Sequence, residues 1–170
     1  MKEIEELVQF LKTNGVHIVT MESCTGGMLA SEITNIPGAS DVLKDSFITY
    51  SNEAKIACGV DKNVIKEYTV YSPQVARQMA HVAIQRSIAN AGAIMGIGIT
   101  GSLTRVDPNN VTNSVPGVVY IAAEWKFPLL RAIWLRDLIV TIPLDEFPDT
   151  RKNEKEYVIK EIAKWITTLL

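Results

Sequence analysis

Apolar positions change period several times along the chain, and each change marks an element. In residues 3–14, Ile4, Leu7, Val8 and Leu11 share one helical face, and Gly15 supplies the stop. Val16-His17-Ile18-Val19-Thr20 is a β-branched run and reads as a short strand. A helix is expected over residues 26–36, broken by Pro37-Gly38, then a strand over 45–50 and a short helix over 53–58. Ser72-Pro73 is a start signal, a cap residue followed by proline at the first helical position. The helix it opens is expected to reach about Asn90, with a smooth stripe of Ala76, Ala80, Ala83 and Ser87 that lets a neighbour approach closely. Residues 94–100 and 117–124 are apolar enough for central strands, and 129–142 for one or two more, interrupted near Arg136-Asp137. A last helix from about Thr150 to Leu169 buries Val158, Ile162, Trp165, Ile166 and Leu169. Helices alternating with short apolar strands define an α/β layered fold, and residues 102–114 form a polar, aperiodic loop between two core strands.

Composition narrows the class. The 170 residues are 47% hydrophobic and 21% charged, globular proportions that exclude disordered and collagen-like chains, and residues 1–170 fit one domain. A net charge of -2 lacks the basic footprint of a general nucleic-acid binder, so no nucleic-acid partner is expected. Apolar runs at 91–99 and 115–123 fall short of the ~20 residues that span a bilayer, so no membrane partner is expected either. Met1-Lys2-Glu3-Ile4-Glu5-Glu6 places acids where a signal peptide is basic, which points to a soluble cytoplasmic protein. Two cysteines, Cys24 and Cys58, make no disulfide framework, and His17 and His81 lack zinc-site spacing.

The sharpest chemical feature is Glu22-Ser23-Cys24-Thr25-Gly26-Gly27, between an expected strand and an expected helix. Ligands in α/β sheets collect where strands end, and a helix start offers free N–H groups. A hydroxyl there can attack a carbonyl while nearby amides hold the oxyanion. Ser23 or Thr25 can equally serve as an ordinary helix cap, and Cys24 is an alternative nucleophile. His17 begins a strand and His81 lies mid-helix, both structural or surface positions, which rules against a Ser-His-Asp arrangement; a lysine can serve instead if burial or a neighbouring cation lowers its pKa. The candidate is Lys55, in Thr49-Tyr50-Ser51-Asn52-Glu53-Ala54-Lys55, again where a strand enters a helix, although taken alone it reads equally as a solvated surface lysine. Gly96-Ile97-Gly98-Ile99-Thr100-Gly101 matches a dinucleotide fingerprint in letters only: its first glycines lie inside the strand and a loop follows. Its smooth face suits close approach by other backbone or a ligand.

The ESCTGG, TYSNEAK and GITG segments, in that order, resemble the nicotinamide-nucleotide amidase (PncC) family, equivalently the C-terminal domain of the competence-damage-inducible protein CinA. The resemblance covers nearly the whole chain and implies a three-layer α/β/α fold with a mixed, mostly parallel sheet of about five strands. It implies hydrolysis of the carboxamide of nicotinamide mononucleotide to nicotinate mononucleotide and ammonia, without metal or cofactor. By resemblance Ser23 is the nucleophile and Lys55 its base. Amides around Thr25, Gly26 and Gly27 hold the oxyanion, Tyr50, Thr100 and Gly101 line the site, and Arg151 is the family's arginine before the last helix. A cation there can hold the substrate phosphate or depress the lysine pKa.

Three departures stand against that pattern. The family continues its third motif as G-P-[DG]-G, whereas Gly101 is followed by Ser102-Leu103-Thr104-Arg105. Its Gly-Asp-Arg becomes Asp149-Thr150-Arg151, and residues 127–148 are longer than usual. They leave the Ser/Lys pair intact and alter the walls around it, so a silent nucleotide-binding module and a hydrolase of another small amide stand as alternatives. A stand-alone form is expected, without the extra N-terminal domain of full-length CinA proteins. A homo-oligomer, with a dimer favoured, is expected from the family and from apolar Leu169-Leu170.

Overall fold

A computed structural model describes residues 1–87, 92–105, 107–109, 114–127, 132–147 and 151–169, the side chains of 132 and 144 aside. Helix α1 (Lys2–Asn14) buries Ile4, Leu7, Val8 and Leu11 and ends at Gly15. Strand β1 (Val16–Glu22) leads to α2 (Met28–Thr34), and β2 (Leu43–Ile48) to α3 (Asn52–Cys58). Ser51 caps α3 by accepting the Ala54 N–H. Helix α4 (Lys62–Tyr68) follows, unforeseen because only Val64 and Ile65 mark its inner side and both are partly buried. Helix α5 (Pro73–Arg86) starts on the Ser72 cap and stops short of the expected end, which lies outside the described residues. Then come β3 (Ala93–Gly101), β4 (Val118–Phe127), β5 (Ala132–Thr141) and α6 (Arg151–Ile166).

The five strands form one sheet in the order β2-β1-β3-β4-β5. Strands β2 and β3 pair parallel to β1, while β4 pairs antiparallel to both β3 and β5, so four of the five strands share one direction. Met95, Ile97 and Ile99 of β3 pack with α1, α2 and α6 residues in the main core. The opposite face packs on α5 and its neighbours. The expected three-layer α/β architecture is the one observed. The glycines of β3 explain the stripe of α5: a Cβ on Gly98 would lie 2.0 Å from the Ala76 carbonyl oxygen, and one on Gly96 2.3 Å from that of Ala80. Backbone meets backbone there, with no room for a nucleotide.

One expectation needs correction. Residues 132–141 are one uninterrupted strand, paired with β4 throughout. Arg136 and Asp137 do not break it, because they point to opposite faces and Asp137 accepts from the Arg77 guanidinium of α5. The start of that expected stretch, residues 129–131, lies outside the described residues. Leu169 is partly buried against the main core, as expected, although the last helix ends at Ile166, and Leu170 is outside the described residues. The exposed large apolar side chains include Ile133, Trp134, Leu135 and Ile139 of β5. Among the described residues no helix is long and apolar enough to cross a membrane.

Candidate active site

Because β1, β2 and β3 run the same way, their C-terminal ends open on one edge, where α/β sheets bind ligands. The strand ladder carries the chain into the site: the Ser23 N–H donates to Ile99 O at 3.0 Å, and the Thr49 N–H to Glu22 O at 2.9 Å. Ser23 therefore leaves β1 beside the ends of both neighbours. Lys55, one turn into α3, faces inward and is 1% exposed. Its Nζ donates to Ser23 Oγ at 3.0 Å and to the Thr49 carbonyl at 2.8 Å. No carboxylate bonds this ammonium among the described residues. Burial lowers the Lys55 pKa to about 8. Desolvation, not a neighbouring cation, does it. Cys24, next to Ser23, is driven the other way: burial pushes its thiol up to about 12, a protonated and unreactive state at neutral pH.

The ESCTGG turn is held from below. Glu22 is fully buried, and its carboxylate accepts from Thr25 Oγ1 at 2.6 Å, the Ala30 N–H at 3.0 Å and the Leu29 N–H at 3.2 Å. An anion at this helix start meets free amides and the positive end of the helix dipole. Gly26 and Gly27, at φ 63° and 87°, reverse the chain between Ser23 and α2 in a conformation that disfavours side chains.

The cavity above the pair has a volume of about 670 Å³. Ser23, Cys24 and Lys55 form its floor, and Tyr50, Val70, Tyr71, Gly101, Arg105 and Arg151 belong to its wall and mouth. Arg151 Nη2 donates to the exposed Tyr50 hydroxyl at 3.4 Å, which brings together two residues 101 positions apart. Tyr71 donates to Asp107 at 2.9 Å, and burial together with that bond raises the tyrosine pKa. Thr69, just before this wall, holds φ 65°, a strained value for a β-branched residue.

Of the residues singled out in the sequence, Ser23, Lys55, Tyr50, Gly101 and Arg151 line this cavity. Thr25 and Thr100 do not: Thr25 serves Glu22, and Thr100 Oγ1 donates to Val70 O at 2.9 Å, bracing the wall from behind. Gly26 and Gly27 shape the turn without lining the cavity. The Gly26 N–H donates to Ser23 O at 2.9 Å and is not free for an oxyanion. His17 contacts Asp41 O, and His81 contacts Glu124, both away from the floor. Two contributors went unassigned in the sequence, Glu22 and Glu154. Glu22 is an acid closing a buried strand, and Glu154 precedes Val158 and Ile162 at four-residue spacing on the buried stripe of α6, so each carried a readable signal. Glu154, fully buried, accepts from Thr104 Oγ1 at 2.6 Å and the Thr104 N–H at 3.0 Å.

Fold and site together define a three-layer α/β protein with a buried serine–lysine pair at the ends of its parallel strands. The family model of the CinA C-terminal domain matches residues 2–128, and the chain belongs to that family. A CinA-like protein of Desulfovibrio desulfuricans is 41% identical over 134 residues, which are 78% of this chain and 29% of that protein. The chain thus spans less than a third of that relative's length. The crystal structure of a competence/damage inducible protein from Agrobacterium tumefaciens is similar with a TM-score of 0.74 and 26% identity, covering 98% of this chain and 95% of that one. A CinA superfamily protein of Escherichia coli shares the fold at TM-score 0.74 and 24% identity, over 99% of this chain and 88% of its own.

Proposed function

We propose that the chain is an amidohydrolase acting on the carboxamide of nicotinamide mononucleotide, with Ser23 as nucleophile and Lys55 as its base. The observation that carries this reading is the 3.0 Å contact between two buried side chains on a cavity floor. Once Lys55 is neutral, its lone pair accepts the Ser23 proton while one N–H keeps the bond to Thr49 O. Serine Oγ then attacks the amide carbon. The resulting ammonium passes its proton to the departing nitrogen, so ammonia leaves and a serine ester remains. Water, deprotonated by the same amine, cleaves the ester to release nicotinate mononucleotide and restore Ser23. Beside the occupied Gly26 amide, the N–H of Cys24, a residue that lines the cavity, bonds no other residue among those described and can serve the oxyanion.

Nearly complete burial of Lys55 supports the assignment, because a solvated lysine would be almost wholly protonated at neutral pH. The test is ammonia release from nicotinamide mononucleotide by the purified protein. Product from wild type and none from Ser23→Ala or Lys55→Met is expected. No product from wild type, or full rate in Ser23→Ala, refutes the reading.

A further inference from the structure

The segment Ser102-Leu103-Thr104-Arg105 places a second arginine at the cavity mouth. Arg105 and Arg151 both line it, and neither guanidinium has a carboxylate partner among the described residues. The acids nearby lie differently. Asp107 accepts from the Tyr71 hydroxyl and the Asn109 N–H, and Glu53 is an exposed member of the rim on α3. The arginines are spaced by bonds, not left to chance. Ser102 Oγ donates to Arg105 O at 2.8 Å, which closes the loop on itself. Thr104, adjacent to Arg105, donates twice to buried Glu154, which stands one helical turn after Arg151. One buried carboxylate therefore ties the segment carrying one guanidinium to the turn carrying the other.

The geometry points to Arg105 and Arg151 as a two-arginine clamp for a phosphate monoester at the cavity mouth, with Glu154 as the positioning residue that sets their spacing. The inference deepens the proposed function and rests on it for the identity of the ligand. Two planar guanidinium groups suit an anion with three terminal oxygens, because each can offer paired N–H donors. The floor offers no comparable cation for that group, since Lys55 is engaged with Ser23 and Thr49. A phosphate held at the mouth leaves the opposite end of the substrate to reach Ser23.

The test compares nicotinamide mononucleotide with nicotinamide riboside, which lacks only the phosphate. Wild type is expected to favour the mononucleotide in kcat/KM. Arg105→Gln is expected to lower kcat/KM for the mononucleotide by about 10–100-fold, the range of a lost charge-assisted contact, mainly through KM. Its value for the riboside should stay within about twofold, and Arg105→Lys should recover part of the loss. Glu154→Gln is expected to raise KM for the mononucleotide alone, a selectivity that general loosening would not produce. Equal effects on both substrates, or none, overturn the clamp. If wild type releases ammonia from neither, the proposed reaction fails and the clamp is judged by calorimetry with nicotinate mononucleotide and nicotinic acid riboside. Tighter binding of the mononucleotide, lost in Arg105→Gln, sustains it, and equal binding of the two overturns it.

Discussion

The floor and the mouth of the cavity are built by opposite means. At the floor and just beneath it, Ser23, Lys55 and Glu22 are almost wholly removed from water and each makes short hydrogen bonds within the protein. At the mouth, Tyr50, Arg105 and Arg151 are exposed, and the contact between Tyr50 and Arg151 is a long 3.4 Å. Burial changes the chemistry of a group, here an amine that loses its proton near pH 8, whereas exposure preserves charge and mobility for gripping a ligand. In the proposed function, that difference separates where a bond would be broken from where a substrate would be recognised.

The largest expected effect therefore falls on the floor. Lys55→Met should lower kcat by at least ~10³-fold, as removal of a base from a nucleophile–base unit does. The same substitution should stabilise the fold, because an uncompensated buried ammonium is replaced by an apolar chain of similar length. With the folded pKa at about 8 and the unfolded one near ~10.4, the stabilisation below pH 8 approaches ~3 kcal/mol. Thermal denaturation at pH 7 checks the sign. A mutant that is inactive and less stable would show that Lys55 is structural.

The pH dependence follows from the same shift. In the proposed reaction the active form is the neutral amine, so kcat/KM should rise with pH and level off above an apparent pKa of about 8. Stability should also rise with pH between about 8 and ~10.4, because the unfolded chain holds more protons in that window. Below it, both states carry the charge and the penalty is present in full. Lys55→Met should remove this dependence, measurable as urea midpoints across the range.

Glu22→Gln tests the support beneath the floor. An amide puts a donor among the N–H groups of Leu29 and Ala30, and about 2–3 kcal/mol of stability should be lost. Turnover should fall at least ~10-fold as the turn carrying Ser23 loosens. The smallest effect belongs to the mouth: Tyr50→Phe removes one long hydrogen bond and should raise KM only severalfold, with kcat unchanged. A collapse of kcat in that variant would break the division between floor and mouth.

Periodicity and cap signals made most of the fold legible. The buried face of α1, the Ser72-Pro73 start of α5 and the apolar runs of β1 and β3 all depend on neighbours in sequence. Where a long-range partner decides, local reading failed. Strand β5 reads as interrupted at Arg136-Asp137 until Arg77 of α5 is seen to take up the aspartate. Helix α4 buries too little apolar surface to leave a clear period. At the site, Ser23 and Lys55 stood out as residue types at strand ends, but only convergence of β1 and β2 could bring them to 3.0 Å. The side chains of Thr25 and Thr100 turn inward by the same means, since both hydroxyls find acceptors inside the fold.

By itself the sequence determined most of the helices and strands, that they layer as α/β, and that a serine and a lysine stand at strand ends. Those properties follow from backbone preference and hydrophobic period, which act over a few residues. Tertiary structure alone decided that Lys55 loses its water, that Glu22 locks the serine turn, and that Glu154 of α6 holds Thr104. Desolvation and hydrogen-bond geometry depend on groups tens of residues away, and these meet only when the chain has folded.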